Sequence, residues 1–320
     1  MLGMRRLRTS ENMRKMVREN SWSLSDLIYP FFVEENISEK VEIKSMPGIY
    51  RISERDIADE INELFELGIR YVMPFGVSHH KDSIGNDCMI EEGLLYRIIK
   101  KIKTICPEMI VIPDVCFCEY TSHGHCGVLT KDGLVNNQAT IENLAKQSIV
   151  AARAGADILA PSAMMDFQIK EIRKALDQEG FDHVAILAHA IKYASSFYGP
   201  FRSAAGCDLQ GDRKTYQMDY ANSNEAMREA KLDEMEGADF LMVKPGTPYL
   251  DVVQRLKQQT LLPIASYQVS GEYSAIKFAS KAGALNEKDV VFESIMGFKR
   301  AGASLIVTYF AKQIAIWLKE

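Results

Sequence analysis

No run of about 18 uncharged apolar residues occurs in this sequence, so no membrane-spanning segment is expected. The opening MLGMRRLRTS lacks the apolar stretch of a signal peptide. Cysteine is scarce, six in 320 residues, which excludes a disulfide scaffold. With no export signal, those thiols are expected to be reduced and the protein cytoplasmic. An excess of positive charge is missing as well. Lys and Arg number 38 against 43 Asp and Glu, a net charge of -5, which argues against a nucleic-acid partner. No stretch rich in Pro, Gly or Ser divides the chain. What remains is an ordinary globular balance, 47% hydrophobic and 25% charged, over a length that an α/β barrel fills as one unit.

The first twenty residues hold six basic side chains against two glutamates, and no apolar period organises them. They read as an arm, residues 1–24, that is solvated or packs on a neighbouring subunit. After it, eight short apolar runs rich in β-branched or aromatic residues recur, at 28–33, 71–75, 110–115, 158–160, 184–188, 240–243, 263–267 and 305–309. They are continuous rather than alternating, as expected of parallel strands buried on both faces. Helical patterns lie between them. Ser53 and Asp56 form a capping-box-like start before Ile57, Ile61, Leu64 and Phe65. Gly68, Gly155, Gly237 and Gly302 each fall just past a helical stretch and before a strand, where a left-handed cap is expected. Helix, glycine, strand points to an α/β fold, a single (β/α)8 TIM barrel over 25–320 with an extended N-terminal arm, with a doubly wound sheet as the alternative. Two long excursions, 116–139 after the third strand and 193–222 after the fifth, fall on the face where barrel enzymes build active sites.

Three of the six cysteines, Cys116, Cys118 and Cys126, lie in the first excursion. Thiolates suit zinc, and a reduced cluster this dense favours a metal over disulfides. The spacing is not that of a zinc finger. Three ligands leave a fourth position open, as in catalytic sites, whereas His123 or His125 as a fourth ligand would make the site structural. Two lysines stand at or just beyond strand ends, Lys192 and Lys244. On neighbouring strands, two ammonium groups repel and one gives up its proton more easily. A neutral lysine attacks ketones, which suits Schiff-base chemistry.

Several segments carry a resemblance. DVCFCEYTSHGHCG (114–127), KYASSFYGPFR (192–202), GDRKTYQ (211–217), MVKPG (242–246) and YQVSGEY (267–273), with RRLR (5–8) and DLIYPFFV (26–33), closely resemble the porphobilinogen synthase (5-aminolevulinate dehydratase) family. The resemblance runs from about Arg5 to Trp317. It implies condensation of two 5-aminolevulinate molecules with loss of water, early in tetrapyrrole biosynthesis. By resemblance Lys244 is the main Schiff-base lysine and Lys192 its partner, while Cys116, Cys118 and Cys126 hold a catalytic Zn2+. Asp114 and Ser162 match residues lining the second substrate's site. Arg202, Arg213 and Gln217 match a mobile lid, Ser270 and Tyr309 match hydroxyls binding the other carboxylate, and Tyr198, Phe201 and Tyr267 match pocket walls. Glu229 matches a glutamate that holds an allosteric Mg2+ in many bacterial members. The arm matches one that embraces another subunit in a homo-octamer.

The chain departs from that pattern in places. Ala163 stands where the family has an acidic residue, Phe167 where it has glycine, Ser203 where an acidic residue is common, and Tyr220 replaces a usual proline. Ala188, His189 and Ala190 replace a more usual Ser-Tyr-Ser. Ala163 is expected to remove a carboxylate near the lysine pair. Two other readings compete: a different class I barrel aldolase, which leaves the three cysteines unexplained, and a zinc-binding homologue that has lost activity.

Overall fold

A computed structural model describes residues 3–320; Met1 and Leu2, the start of the expected arm, lie outside the described residues. The eight runs form eight parallel strands: β1 (Leu27–Glu34), β2 (Tyr71–Val77), β3 (Ile110–Val111 and Asp114–Val115), β4 (Ile158–Pro161), β5 (Ala185–Lys192), β6 (Phe240–Lys244), β7 (Ile264–Gln268) and β8 (Leu305–Thr308). Each pairs with the next and β8 returns to β1, with Leu27 opposite Ile306, so the ring closes. The chain is thus an α/β barrel, as the strand count predicts.

The expected third strand is split because Pro113 has no N–H to give to a ladder. The Ile112 N–H still reaches Val72 O, and Ala160 N–H reaches Pro113 O, so both neighbours stay attached. Strand β5 runs four residues past the expected end. Its register slips between Ala188 and Ile191, a bulge that lets it reach Lys192 in step with β6. The periodicity missed two short strands, Val41–Glu42 and Tyr50–Ser53. The second pairs in parallel with the C-terminal part of β1, Phe32 opposite Arg51, outside the ring.

Helix α1 (Glu11–Met16) lies in the arm and α6 (Gly199–Ala204) in the second excursion; the others surround the ring: α2 (Ile57–Leu67), α3 (Leu94–Ile105), α4 (Asn137–Ala154), α5 (Gln168–Gln178), α7 (Asn224–Glu236), α8 (Leu250–Lys257), α9 (Ser270–Lys281), α10 (Glu287–Ala301) and α11 (Ala311–Trp317). Helix α3 buries Leu94, Leu95, Ile98, Ile99 and Ile102 on one stripe, each such side chain contributing about 1.5–3 kcal/mol. Before α2, the Ser53 N–H donates to Asp56 Oδ2 and the Asp56 N–H to Ser53 Oγ, the reciprocal exchange that the sequence pattern predicts. Gly68, Gly155, Gly237 and Gly302 all end their helices with φ between 95° and 114°, a region that glycine enters without a Cβ penalty. The arm leaves no residue of α1, nor of the turn Met4–Arg8, buried.

Phe167 sits at φ 64° just before α5 and is exposed, so a glycine fits this position better and phenylalanine carries strain of about 1–2 kcal/mol. Lys170 Nζ lies 6.0 Å from its ring centre.

Candidate active site

All the chemistry named above gathers where the strands end. Lys192 and Lys244 are the last residues of β5 and β6 and stand directly opposite each other in the ladder. Asp114 belongs to β3, with Cys116 just past it. Ser162 follows β4, Ser270 lies just past β7, and Tyr309 follows β8. One cavity is lined by Asp114, Cys118, Ser162, Lys192, Tyr198, Phe201, Arg202, Arg213, Lys244, Tyr267, Ser270 and Tyr309. Nearly every expected substrate-binding residue is therefore in one place.

The two lysines differ in how firmly they hold a proton. Burial and then the charge of Lys192 pull Lys244 down to about 8, while Asp114 opposes the shift. Its Nζ faces the Tyr267 ring at 4.4 Å, with Phe201 and Tyr198 at about 6 Å. Burial also opposes charge on Lys192, but Cys126, Cys116 and Asp114 outweigh it and raise its pKa. Lys192 Nζ donates to the Ser162 carbonyl. Ala163 is buried and offers no carboxylate; the acidic groups that favour charge on Lys192 are Cys126 and Asp114. Ser162 Oγ donates to Asp114 Oδ2 at 3.1 Å, and burial raises the Asp114 pKa against the pull of both lysines.

The sulfurs of Cys116, Cys118 and Cys126 lie within 4.8 Å of one another, and the first two are 3.6 Å apart. A tetrahedral zinc with Zn–S near 2.3 Å needs sulfurs about 3.8 Å apart, so the donor set fits a soft divalent ion. Hydrogen bonds from Cys116 and Cys118 draw the Cys126 thiol well below its usual range. Among the described residues, Asp114 Oδ1 and Glu119 Oε1 are buried without a partner. Neither expected histidine turns to the sulfurs. His125 contacts Tyr216 OH through Nδ1 and Gln210 O through Nε2, while His123 Nδ1 accepts from the His125 N–H and Nε2 reaches Ser83 O. The histidines tie down the loop, and the reading in which one closes the metal site is not the one the geometry favours.

The second excursion, the segment that the resemblance marks as a lid, packs against the ends of the lysine strands. Its ends attach at the lysines themselves: the Tyr193 N–H donates to Lys244 O and the Met218 N–H to Lys192 O. Tyr198 OH donates to Lys244 O, and the Phe201 N–H donates to Ser270 Oγ. Phe201 packs on Phe32 and Phe75. Arg213 is buried, donates to Gly124 O at 2.8 Å, and keeps its Nε unpaired among the described residues. At Gly124, φ is 71° and a Cβ would meet Leu209 N at 2.8 Å, so only glycine lets the lid lie on the cysteine loop. Gly124→Ala is expected to raise KM for the substrate about tenfold, the equivalent of ~1.4 kcal/mol of lid closure, with the fold retained. Steady-state kinetics beside a thermal melt checks this.

Two expected residues lie elsewhere. Gln217 is buried but lines an adjoining crevice rather than the cavity, and Glu229 is in that same crevice with Asp166, Glu225 and Asp233. Burial, then Asp166 and Glu225, push the Glu229 carboxyl up. Sequence reasoning also missed three residues. Glu119 lines the cavity, and burial with the charge of Asp114 raises it to about 7. Glu272 accepts from the N–H groups of Gly246, Thr247 and Val269, fixing the turn after Lys244. A glutamate three residues into a helix start was the available signal. Cys207 in the lid donates its thiol to Cys118 O at 3.1 Å; no local spacing announces it. His189 is fully buried with neither ring nitrogen paired among the described residues. Nothing in the structure explains Ser203 or Tyr220.

Comparison with known proteins agrees with this geometry. A sequence profile described as Delta-aminolevulinic acid dehydratase matches residues 2–317. The Delta-aminolevulinic acid dehydratase of Escherichia coli K12 is 56% identical over 311 residues, covering 97% of this chain and 96% of that protein. The Bacillus subtilis 168 enzyme of the same name is 50% identical over 317 residues, 99% and 98% of the two chains. A crystal structure of the Toxoplasma gondii ME49 delta-aminolevulinic acid dehydratase (porphobilinogen synthase), in complex with its product porphobilinogen, superposes with a TM-score of 0.97 at 44% identity, covering 99% of this chain and 91% of that one. The chain belongs to the delta-aminolevulinic acid dehydratase family.

Proposed function

We propose that this site condenses two molecules of 5-aminolevulinate into porphobilinogen with loss of water. The observation that carries the reading is the register of Lys192 against Lys244, one firmly protonated and one that gives up its proton near pH 8, in a cavity whose wall includes Cys118 of the three-thiol cluster. The neutral Lys244 amine attacks the ketone of one substrate, forming an iminium and releasing water. Lys192 engages the second. Asp114 and Ser162 face that second substrate, and Asp114 is placed to take up or return a proton. Arg202 and Arg213, backed by Gln217, suit one carboxylate, and the hydroxyls of Ser270 and Tyr309 the other. Tyr198, Phe201 and Tyr267 wall off the iminium from water. Holding both molecules removes much of the entropic barrier to their union.

Zn2+ is the ion we assign to Cys116, Cys118 and Cys126; when bound it supplies a Lewis acid for the second substrate's amine or ketone. The crowded carboxylates around Glu229 suit Mg2+, whose preference is for oxygen. The exposed basic arm, 1–24, is assigned to subunit contacts in a homo-octamer, with 25–320 as the catalytic unit. No helix among the described residues is long and apolar enough to cross a membrane; a cytoplasmic setting fits the reduced thiols. A class I aldolase reading leaves the three clustered thiols without work, and no observation favours it.

Because Lys244 must be unprotonated to attack, the rate of iminium formation should rise with pH through about 8 and level off above it. Single-turnover kinetics across pH 6–10, a range of about two units either side of that value, reads this out. The test of the proposal itself is reduction with borohydride in the presence of 5-aminolevulinate. Substrate should be fixed covalently on the peptide containing Lys244; a label elsewhere, or none, removes the Schiff-base role.

A further inference from the structure

We propose that Tyr216, in the second excursion, is a positioning residue for the metal site: its hydroxyl holds Cys126 in place through the His125 ring and the Cys126 backbone N–H. This rests on the metal reading of Cys116, Cys118 and Cys126 and adds to it a residue that is not itself a ligand. The three cysteines are not held alike. Cys116 lies directly beyond β3, its carbonyl accepting from Gln147 Nε2 at 3.1 Å, and Cys118 is two residues on. Cys126 arrives only after the loop 119–125, which no helix or barrel strand supports from within. Its sulfur is therefore placed by whatever fastens that loop.

The fastening comes from the second excursion. The Gln210 N–H donates to His123 O, and Arg213 donates to Gly124 O at 2.8 Å. Tyr216 OH lies 3.1 Å from His125 Nδ1 and 3.4 Å from the Cys126 nitrogen. Residues 210, 213 and 216 thus grip residues 123 to 126 in order. Arg213 and Tyr216 share one turn, in which the Tyr216 N–H donates to Arg213 O.

The chemistry of each group fixes the direction of these bonds. His125 Nε2 is 2.7 Å from Gln210 O, and a carbonyl only accepts, so Nε2 carries the proton. In the neutral ring Nδ1 is then an acceptor and takes the hydroxyl proton of Tyr216. The hydroxyl oxygen keeps a lone pair for the Cys126 N–H, which has no other partner among the described residues. His125 and Cys126 are both buried, so water is poorly placed to replace the phenol. The Tyr216 ring also meets the His125 ring edge to face, with centroids 6.1 Å apart. One side chain therefore orients the His125 ring and the Cys126 backbone together. A metal gains most from a third sulfur that already stands in place, because ordering a loop on binding subtracts from affinity.

Zinc affinity, measured by competition with a chromogenic chelator, tests this independently of turnover. Tyr216→Phe removes one oxygen and keeps the ring, and should weaken zinc binding about 10-fold, the scale on which partners behind a ligand act. His125→Phe removes the same bond from the other side and should also weaken it. In that background the Tyr216→Phe change should cost less than in the wild type, because the route through Nδ1 is already gone. Tyr193→Phe is the matched control: its hydroxyl, at the other end of the same excursion, donates to Asn222 O, and its loss should leave zinc affinity unchanged. Thermal melts of the zinc-free proteins verify that each variant folds. Unchanged zinc affinity in folded Tyr216→Phe or folded His125→Phe overturns the assignment and leaves the three-cysteine site intact. An equal loss in Tyr193→Phe would mean a general loosening of the excursion and overturns it as well. Wild type that binds no zinc overturns the metal reading, and this inference with it.

Discussion

Lys244→Met should be inactive yet at least as stable as the wild type. Loss of the amine removes the atom that forms the iminium, and no second group in the cavity replaces it. Lys192 keeps its proton under the influence of Cys126, Cys116 and Asp114. A loss of kcat of about 10^4-fold or more is expected, the scale on which removal of a covalent nucleophile acts. Stability should move the other way. The folded pKa of Lys244 is about 8 against an ordinary 10.5, so the folded state resists its proton. Below pH 8 that resistance costs about 3 kcal/mol, and it fades as pH rises from 8 towards 10.5. Methionine has a similar length and no charge, so the penalty disappears with the activity. Thermal melts at pH 7 should show a Tm equal to or above that of the wild type. A markedly lower Tm would mean that Lys244 holds the barrel together rather than acting on substrate.

Stripping the metal is the second large effect. A chelator should reduce product formation by about 10^2-fold or more, and Zn2+ should restore it where Mg2+ does not, since thiolates bind soft ions in preference to hard ones. Cys126→Ser should copy the chelated state and resist rescue. Its thiol is the one its neighbours draw lowest, so it carries the first negative charge of the cluster. Metal content and rate, measured on the same samples, should fall together. A chelated protein that loses its metal and keeps its rate would detach the cysteines from the chemistry.

Much of this was legible along the chain, for physical reasons. A strand buried on both faces reads as an unbroken apolar run, so all eight barrel strands were visible. A helix that must stop before such a strand needs a left-handed cap, so the four glycines marked four helix ends correctly. The third strand's break was written in Pro113, and its meaning appeared only when the separate partners Val72 and Ala160 were seen. The strands Val41–Glu42 and Tyr50–Ser53 are too short to display a period.

Within the site, residues in compact motifs were readable and residues recruited from afar were not. Lys192 and Lys244 were a guess about adjacent strands until the ladder placed them opposite each other. The histidines looked like ligands because they neighbour Cys126, yet their ring nitrogens face the lid and Ser83. Cys207 is 89 residues from its partner Cys118, and nothing local ties it to the cluster. Gln217 and Glu229 were read as belonging to separate sites, but they share one crevice, with Asp166 brought in from the loop after β4. Ala163 does leave its position without a carboxylate, and the acidic groups that favour charge on Lys192 come from elsewhere, Asp114 and Cys126.

The measurement that bears most directly on the whole account is pyrrole formation from 5-aminolevulinate by the purified protein, with and without a chelator. The account predicts porphobilinogen from the zinc-loaded protein, its loss on chelation and its return with added Zn2+. Folded, zinc-loaded protein that makes no pyrrole would contradict it.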